Sequence, residues 1–278
     1  MNLLSPVLNW RAMFAFFSIL YKQRELTLEM TKREFSERYA GQVFGVLWGF
    51  AHPIVIILVY IFIFSFVFQS RVDPGDVSST ANYAVFMLAG LIPWMALAET
   101  LNKGTQVITS NSNLVKQVIF PLEILPAKTV IASFINQVIL LFGVLVYASI
   151  QTGGPTWSFC LLPTLLTLQF MQMLGLSMIL STIGVYIRDL KDLVQVFCLI
   201  NIYLMPVIYM PGWLPSSVRW MIYLNPFSYQ TLCFQDAIYH GKITNSWTWL
   251  VYCLLSFLLL GVGYRLFLKL RIFIGNVL

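Results

Sequence analysis

Charged residues divide this chain into five long uncharged stretches, which together make up more than half of it. A helix rises 1.5 Å per residue, so about 20 apolar residues cross a hydrocarbon layer roughly 30 Å thick. The stretch at 129–187 is long enough for two crossings and is interrupted by a polar turn at 151–155. The pattern therefore predicts six membrane-spanning helices in one all-α domain, residues 1–278. Their approximate limits are 47–69, 83–99, 129–150, 160–184, 192–210 and 246–265.

The distribution of basic residues predicts how these helices are oriented. Fourteen of the 17 Lys and Arg residues lie in segments that would share one side of the membrane with both termini. The opposite side holds only Arg71, Arg219 and Lys242. Lys and Arg are enriched in cytoplasmic loops, so both termini are predicted to be cytoplasmic.

Composition supports a membrane protein and points to an external energy source. Apolar residues make up 59% of the 278 residues and charged residues 10%, against about 25% charged in soluble domains. The spans lack a central ionisable group for ion coupling, and His52 lies near the end of the first span. Their polar residues, such as Gln137, Gln169 and Asn201, are expected to join helices. The P-loop pattern does not occur, so any ATP hydrolysis would take place in a partner.

Few residues could carry catalysis or bind a metal. Asp189 and Asp192 have a spacing that could hold Mg²⁺ in an enzyme acting on lipid diphosphates. Arg188 and Lys191 lie beside them, which favours a solvated, neutralised turn. We therefore expect no catalytic residue, no metal site and no cofactor in this chain, with a membrane enzyme as the distant alternative. The net charge of +6 is spread between apolar runs, so nucleic acid is not an expected partner.

A charged segment at 22–40 precedes the first span. Its sequence is compatible with a helix that pairs Glu29 with Arg33 and Glu34 with Arg38. With the apolar residues before it, it predicts an amphipathic helix in the cytoplasmic interface, within a segment that covers residues 1–46. This helix could be a simple anchor or a lever against a cytoplasmic partner. The apolar residues expected in the headgroup region are Met13, Phe14, Phe16 and Phe17.

Three glycines, Gly41, Gly45 and Gly49, follow this segment at four-residue spacing. On a helix they would leave one face without side chains, so that another backbone could approach closely. The spacing therefore predicts close helix packing. The neighbour could belong to the same chain or to a second copy.

The predicted cytoplasmic loop at 99–128 contains a candidate docking helix. Polar residues at 110–113 are suited to cap its start, and a proline ends it. Apolar side chains in such a loop need a partner to cover them. A helix folded back on its own spans is the alternative. The segment consists of Leu114, Val115, Lys116, Val118, Ile119, Phe120 and Pro121, with Gln117 between them.

Residues 211–245 form neither a clean span nor a polar loop. Trp213 and Trp220 lie among few charges. Pro215, and Asn225 followed by Pro226, are typical of helix starts. Two short helices that dip back into the membrane would explain this mixture. An aromatic belt lying flat at the interface is the alternative.

Several of these segments, taken in their order along the chain, resemble the type-2 ABC exporter permeases. The resemblance is to the branch that exports O-antigen, capsule and teichoic-acid polysaccharides. The sequence FPLEILP at 120–126 is most similar to O-antigen export proteins. The other matching segments are Arg38-Tyr39 through Trp48 with His52-Pro53, residues 113–119, residues 186–190, residues 206–209 and residues 223–226.

The resemblance implies a homodimer in the bacterial inner membrane, bound to two ATPase subunits that hold ATP and Mg²⁺. The substrate would be a polysaccharide linked to undecaprenyl diphosphate. By this resemblance, residues 114–121 contact the ATPase. The implied cytoplasmic entrance contains Arg33, Arg38, Tyr39, Arg188 and Asp189. The implied periplasmic gate contains Trp213, Pro215, Trp220, Asn225 and Pro226.

Aromatic residues of the first span could line the channel of such an exporter, because sugar rings stack on aromatic faces. Trp48 and Tyr60 are the candidates that we select. Lipid-facing or core positions are an equal alternative for these aromatic residues. Export of a drug or a lipid by the same fold is the nearer alternative function.

Overall fold

The structure is a computed structural model that describes residues 6–39, 41, 45, 48–63, 78–117 and 121–277. Over these residues the chain forms a bundle of long helices with short helices at its two ends. The helices are α1 (Pro6–Lys22), α2 (Arg24–Tyr39), α3 (Trp48–Phe62), α4 (Ser78–Gly104), α5 (Val107–Ser110), α6 (Ser112–Gln117), α7 (Ile124–Thr152), α8 (Leu162–Tyr186), α9 (Leu190–Leu204), α10 (Ser216–Leu224), α11 (Ser228–Gln235) and α12 (Ser246–Val277).

Four helical segments of the described residues are long and apolar enough to cross a membrane. They correspond to the second, third, fourth and sixth predicted spans, and each extends beyond the end predicted for it. The all-helical fold expected from the sequence is therefore observed. The four segments are Tyr83–Gly104, Ile124–Gln151, Trp157–Tyr186 and Ser246–Ile274.

At the fifth predicted span α9 has only 15 residues, and at the first the described part, α3, also has 15. Such a helix covers about 22 Å, less than a hydrocarbon layer roughly 30 Å thick. α9 ends at Leu204 and not near 210, because Met205 is extended ahead of Pro206. A residue before proline is disfavoured in the helical conformation. Residues 64–69 of the first predicted span lie outside the described residues, so six spans stay a prediction.

α8 and α12 pack against each other through glycine residues. A Cβ atom added to Gly175 would lie 2.3 Å from the carbonyl oxygen of Leu259, and one added to Gly263 would lie 2.3 Å from that of Gly175. Backbone therefore meets backbone at this contact, which leaves no room for any side chain. At the end of α8, a Cβ atom added to Gly184 would lie 1.9 Å from the carbonyl oxygen of Thr105, just beyond α4.

Buried amides join three of the long helices. Gln137 of α7 donates a hydrogen bond of 2.5 Å from its Nε2 to the Oε1 of Gln169 in α8. The Nε2 of Gln169 in turn donates to the carbonyl oxygen of Pro93 in α4, at 2.9 Å. These contacts confirm that the two glutamines join helices, as their position inside the spans predicts.

Two of the three glycines after α2 do not lie on the helical face that their spacing predicts, and their close packing against another backbone stays a prediction. Gly41 and Gly45 lie between α2 and α3 with φ values of +78° and +49°. These left-handed values take the chain out of the helix, and glycine adopts them without strain. A Cβ atom on either would meet nothing within 4 Å. Gly49 lies in the first turn of α3.

The two ends of the bundle differ in their chemistry. We call one the basic end: it holds α2, α5, α6, the turn between α8 and α9, and the last turns of α12. We call the other the aromatic end: it holds α10, α11, the turn between α7 and α8, and the start of α12.

Gly175→Ala is expected to destabilise the protein, because its Cβ would collide with backbone atoms of α12 that cannot move independently. Overpacking of this kind costs about 1–3 kcal/mol. Gly143→Ala is the matched control, since its Cβ meets only the tip of the flexible Ile57 side chain. Thermal unfolding in detergent should show a lower midpoint for Gly175→Ala alone. Equal midpoints for the two variants would contradict the α8–α12 contact.

Candidate functional site

α1 packs along α12. The ring centroids of Phe16 and Tyr264 lie 5.2 Å apart, and Arg265 donates a 2.9 Å hydrogen bond to the side-chain oxygen of Asn9. Met13 and Phe16 are buried in this contact, so their predicted place among lipid headgroups is wrong. They join the core because α1 packs against Gly261, Tyr264 and Arg265 of α12. Phe14 and Phe17, the other two apolar residues predicted to lie there, are exposed, as expected of interfacial side chains.

α2 lies against α7 at the basic end. The carboxylate of Glu34 accepts from the Lys128 ammonium at 3.1 Å, and their side chains are only 20% and 7% exposed. Glu34 was expected to pair with Arg38 within α2, but its partner is Lys128 of α7. The exposed Arg33 pairs with Glu37 at 2.6 Å. α2 is therefore held to the bundle by charge as well as by apolar contacts.

A second ion pair closes the basic end. Glu123 is buried at the start of α7, and its carboxylate accepts a hydrogen bond from Arg271 near the end of α12. A buried carboxylate is costly unless it is paired, so this contact holds the end of α12 against the start of α7. α2 and the end of α12 are thereby both held against α7.

The predicted docking segment is helical at its start. α6 carries Leu114 and Val115, which are half-buried and pack against the core of the bundle. For these two residues the alternative, a helix folded back on its own spans, is observed. Lys116 is exposed, Pro121 is half-buried and begins the turn into α7, and residues 118–120 lie outside the described residues.

The turn between α8 and α9 lies beside this segment. Arg188 and Asp189 are exposed there. Arg188 and Lys191 line a groove of about 360 Å³ whose other wall includes Thr105 and Ser112. The structure thus brings one predicted entrance residue, Arg188, next to the predicted ATPase-coupling segment. Among the described residues, no group of three His, Cys, Asp or Glu side chains could hold a metal ion.

The remaining entrance residues and the two channel candidates lie around α2 and α3. Arg38 and Tyr39 end α2, and their side chains are outside the described part of the chain. Trp48 begins α3 and is exposed, whereas Tyr60 packs against the core. Twelve residues on a helix correspond to a rotation of about 120° beyond whole turns, so the two aromatic residues do not share a face.

Two short helices occupy the aromatic end, as the sequence predicts. α10 begins directly after Pro215, and α11 begins two residues after Pro226. α10 lies on the surface and buries only Ile222. α11 is largely buried against α4 and α12. That α10 and α11 dip into the membrane stays a prediction.

Neutral side chains hold this pair of helices in place. Asn225 donates a 2.7 Å hydrogen bond to the side-chain oxygen of Asn201 in α9. Trp213 stacks on Tyr83 at the start of α4, with centroids 5.8 Å apart. Trp220 is exposed on α10. The gate residues proposed from the sequence thus make separate contacts with α4 and α9.

The aromatic end also contains a pocket of about 400 Å³ that was not predicted from the sequence. It lies between α4, the loop before α10, α11 and the start of α12. Phe86 of α4 lines one side of it, and its other lining residues lie between Met210 and Thr248. The only signal in the sequence was the aromatic content of residues 211–245. The residues most relevant to binding are Phe86, Trp213, Tyr223, Gln235, His240 and Asn245.

Comparison with known proteins identifies the class of the molecule. The chain matches the family described as ABC-2 type transporter over residues 25–239, and it belongs to this family. It is therefore a multi-pass membrane subunit of a transporter and not an enzyme.

Two similar proteins are O-antigen export system permease proteins RfbA. The protein of Klebsiella pneumoniae is 24% identical over 255 residues, which cover 91% of this chain and 95% of that protein. The protein of Myxococcus xanthus is 28% identical over 250 residues, which cover 89% and 93%.

Glu34→Gln is expected to destabilise the basic end, because it leaves the buried Lys128 ammonium beside a neutral amide. Breaking a buried ion pair costs about 3–5 kcal/mol, and the partial exposure of Glu34 reduces this to about 2–3 kcal/mol. Glu29→Gln is the control, since its pair with Lys32 is exposed and contributes about 0–1 kcal/mol. Thermal unfolding in detergent compares the two variants. An equal decrease in the unfolding midpoint of both variants would argue against a role of the Glu34–Lys128 pair in holding α2.

Proposed function

We propose that this chain is the membrane subunit of an ATP-driven exporter that moves O-antigen-type polysaccharide across the bacterial inner membrane. The observation that carries the proposal is the likeness to O-antigen export permeases over about nine-tenths of the chain, within the ABC-2 family. The sequence contains no P-loop, in agreement with ATP hydrolysis by a separate ATPase subunit.

In this proposal the chain crosses the membrane six times, with α3 and α9 as the first and fifth spans. The basic end and both termini face the cytoplasm, and the aromatic end faces the periplasm. Support comes from the 14 basic residues that this orientation would place on the cytoplasmic side. α10 and α11 would be the re-entrant pair.

The basic end is the proposed docking site for two ATPase subunits, which bind ATP and Mg²⁺. Leu114 and Val115 fix α6 to the core, so that a push on Lys116 or on residues 118–121 reaches the spans directly. The neighbouring turn with Arg188 offers a second contact at the same end. The ion pairs of α2 and α12 with α7 make this end stiff enough to transmit the movement.

A homodimer is supported by the large apolar surfaces of α3 and α9. α9 touches the bundle through a narrow stripe, Val194, Cys198 and Asn201. Most of its other side chains are apolar and exposed, and α3 has a similar exposed face. A second copy covers part of this surface, lipid covers the rest, and the glycan passes between the two copies. Trp48 and Tyr60 remain the proposed channel residues.

The proposed substrate is a polysaccharide linked to undecaprenyl diphosphate. Its diphosphate requires cations where it enters, and arginine binds phosphate oxygens in a two-pronged geometry. Arg33, Arg38 and Arg188, with Tyr39 and Asp189 beside them, supply the proposed entrance at the basic end. The glycan leaves at the aromatic end past the proposed gate, which consists of Trp213, Pro215, Trp220, Asn225 and Pro226.

Deletion of the gene tests the proposed function in the cell. Cells that lack this chain should lose surface polysaccharide and accumulate it on the lipid carrier inside, and the intact gene should restore export. Purification of the chain with its ATPase should yield a complex whose ATP hydrolysis responds to lipid-linked glycan. Normal surface polysaccharide in the deletion strain would refute the proposal.

Phe120→Asp is expected to weaken binding of the ATPase at least about tenfold, because a charge would replace an apolar docking side chain. Co-purification with the tagged ATPase measures this loss. The control is Ile243→Asp, which changes an exposed apolar residue at the aromatic end. Undiminished co-purification of Phe120→Asp, with the control also unchanged, would refute the docking assignment.

A further inference from the structure

The pocket at the aromatic end combines an aromatic wall with a small number of polar groups. Its volume of about 400 Å³ lies within the range of about 300–1,000 Å³ typical of small-molecule sites. It is built within one chain, by Phe86 of α4 and by residues between Met210 and Thr248.

The aromatic wall is a stacked series of rings. Trp213 stacks on Tyr83, and Tyr83 stacks on Phe86 with centroids 6.3 Å apart and planes 19° apart. Trp213 remains 51% exposed although Tyr83 covers one side of it. Tyr223 is also exposed where it lines the pocket. The rings therefore offer large, rigid apolar faces to a ligand.

The carboxylate in the pocket wall, that of Asp236, already accepts hydrogen bonds from other protein groups. Asp236 accepts hydrogen bonds from the backbone N–H of Thr244 at 3.2 Å, from the Thr244 hydroxyl and from the Trp249 indole at 2.9 Å. It thereby holds the turn before α12 against α11. The charge is committed to the fold, so the pocket is not built for a cation.

The remaining polar groups are neutral and suited to hydroxyls. Gln235 donates to the carbonyl oxygen of Pro206 at 2.8 Å, and its own side-chain oxygen is buried without a donor among the described residues. The side-chain oxygen of Asn245 accepts from the backbone N–H of Trp247, whereas its amide N–H groups donate to no described residue. Burial lowers the pKa of His240, an effect that Lys242 adds to and Asp236 opposes. The imidazole is therefore neutral at pH 7 and can donate and accept hydrogen bonds.

We propose that this pocket binds a sugar unit of the exported polysaccharide on the side where the glycan leaves the subunit. The pyranose ring would pack its C–H face on Trp213 and Tyr223, and its hydroxyls would pair with Gln235, His240 and Asn245. This inference rests on the proposed function and adds to it a specific glycan contact at the aromatic end. A wholly apolar ligand would leave these polar groups without partners, which is unfavourable.

Binding can be measured on the complex of this chain with its ATPase in lipid nanodiscs. The probe is a set of short oligosaccharides cut from the cell's own exported polysaccharide after release from its lipid by mild acid. Isothermal titration should detect binding to the intact complex. Trp213→Ala should weaken it about tenfold or more, and Trp213→Phe should restore most of it because an aromatic face remains.

Trp157→Ala is the matched control, since Trp157 is an exposed tryptophan at the same end that does not line the pocket. It should bind the oligosaccharides as the intact complex does. The thermal midpoint of each variant establishes that it is folded. If Trp213→Ala folds normally and binds as tightly as Trp157→Ala, the pocket proposal is overturned.

Export assays distinguish failure of the pocket proposal from failure of the proposed exporter function. An intact complex that exports polysaccharide but fails to bind the oligosaccharides would overturn the pocket and leave the exporter standing. A deletion strain with normal surface polysaccharide would overturn the exporter, and the sugar pocket with it.

Discussion

The backbone contact between α8 and α12 is the constraint on which the rest of the structure depends. Helices in lipid gain little from the hydrophobic effect on meeting each other, so they associate through close packing and hydrogen bonds. Gly175 and Gly263 allow that close approach where any Cβ would collide with backbone. α12 then provides the surface on which α1 and α11 pack, and α8 holds α4 through Gln169 and the turn after α4 through Gly184.

The two ends of the bundle are held together by different kinds of contact. At the basic end, buried charges are paired across helices, as in Glu34 with Lys128 and Glu123 with Arg271. Such pairs resist separation and suit an end that would receive force from an ATPase. At the aromatic end, the contacts are neutral amides and stacked rings, such as Asn225 with Asn201. These groups carry little charge and match a ligand rich in hydroxyls.

The sequence was sufficient for what depends on local composition. The positions of the four long apolar helices follow from uncharged runs, and the starts of α10 and α11 follow from their prolines. The early end of α9 was missed, although Pro206 marks it. Close packing was assigned to Gly41 and Gly45, because spacing alone does not reveal whether glycines lie on a helix or between helices. The aromatic pocket requires Phe86 of α4 to meet residues between Met210 and Thr248, which only the tertiary fold determines.

The central claim is that this chain provides a path for the glycan while another subunit provides the energy. Reconstitution of the purified chain in vesicles containing lipid-linked polysaccharide, with and without the ATPase, tests it most directly. Exposure of the glycan to a lectin on the far side should require both proteins and ATP. Transfer by this chain alone, or transfer that does not depend on ATP, would contradict the account.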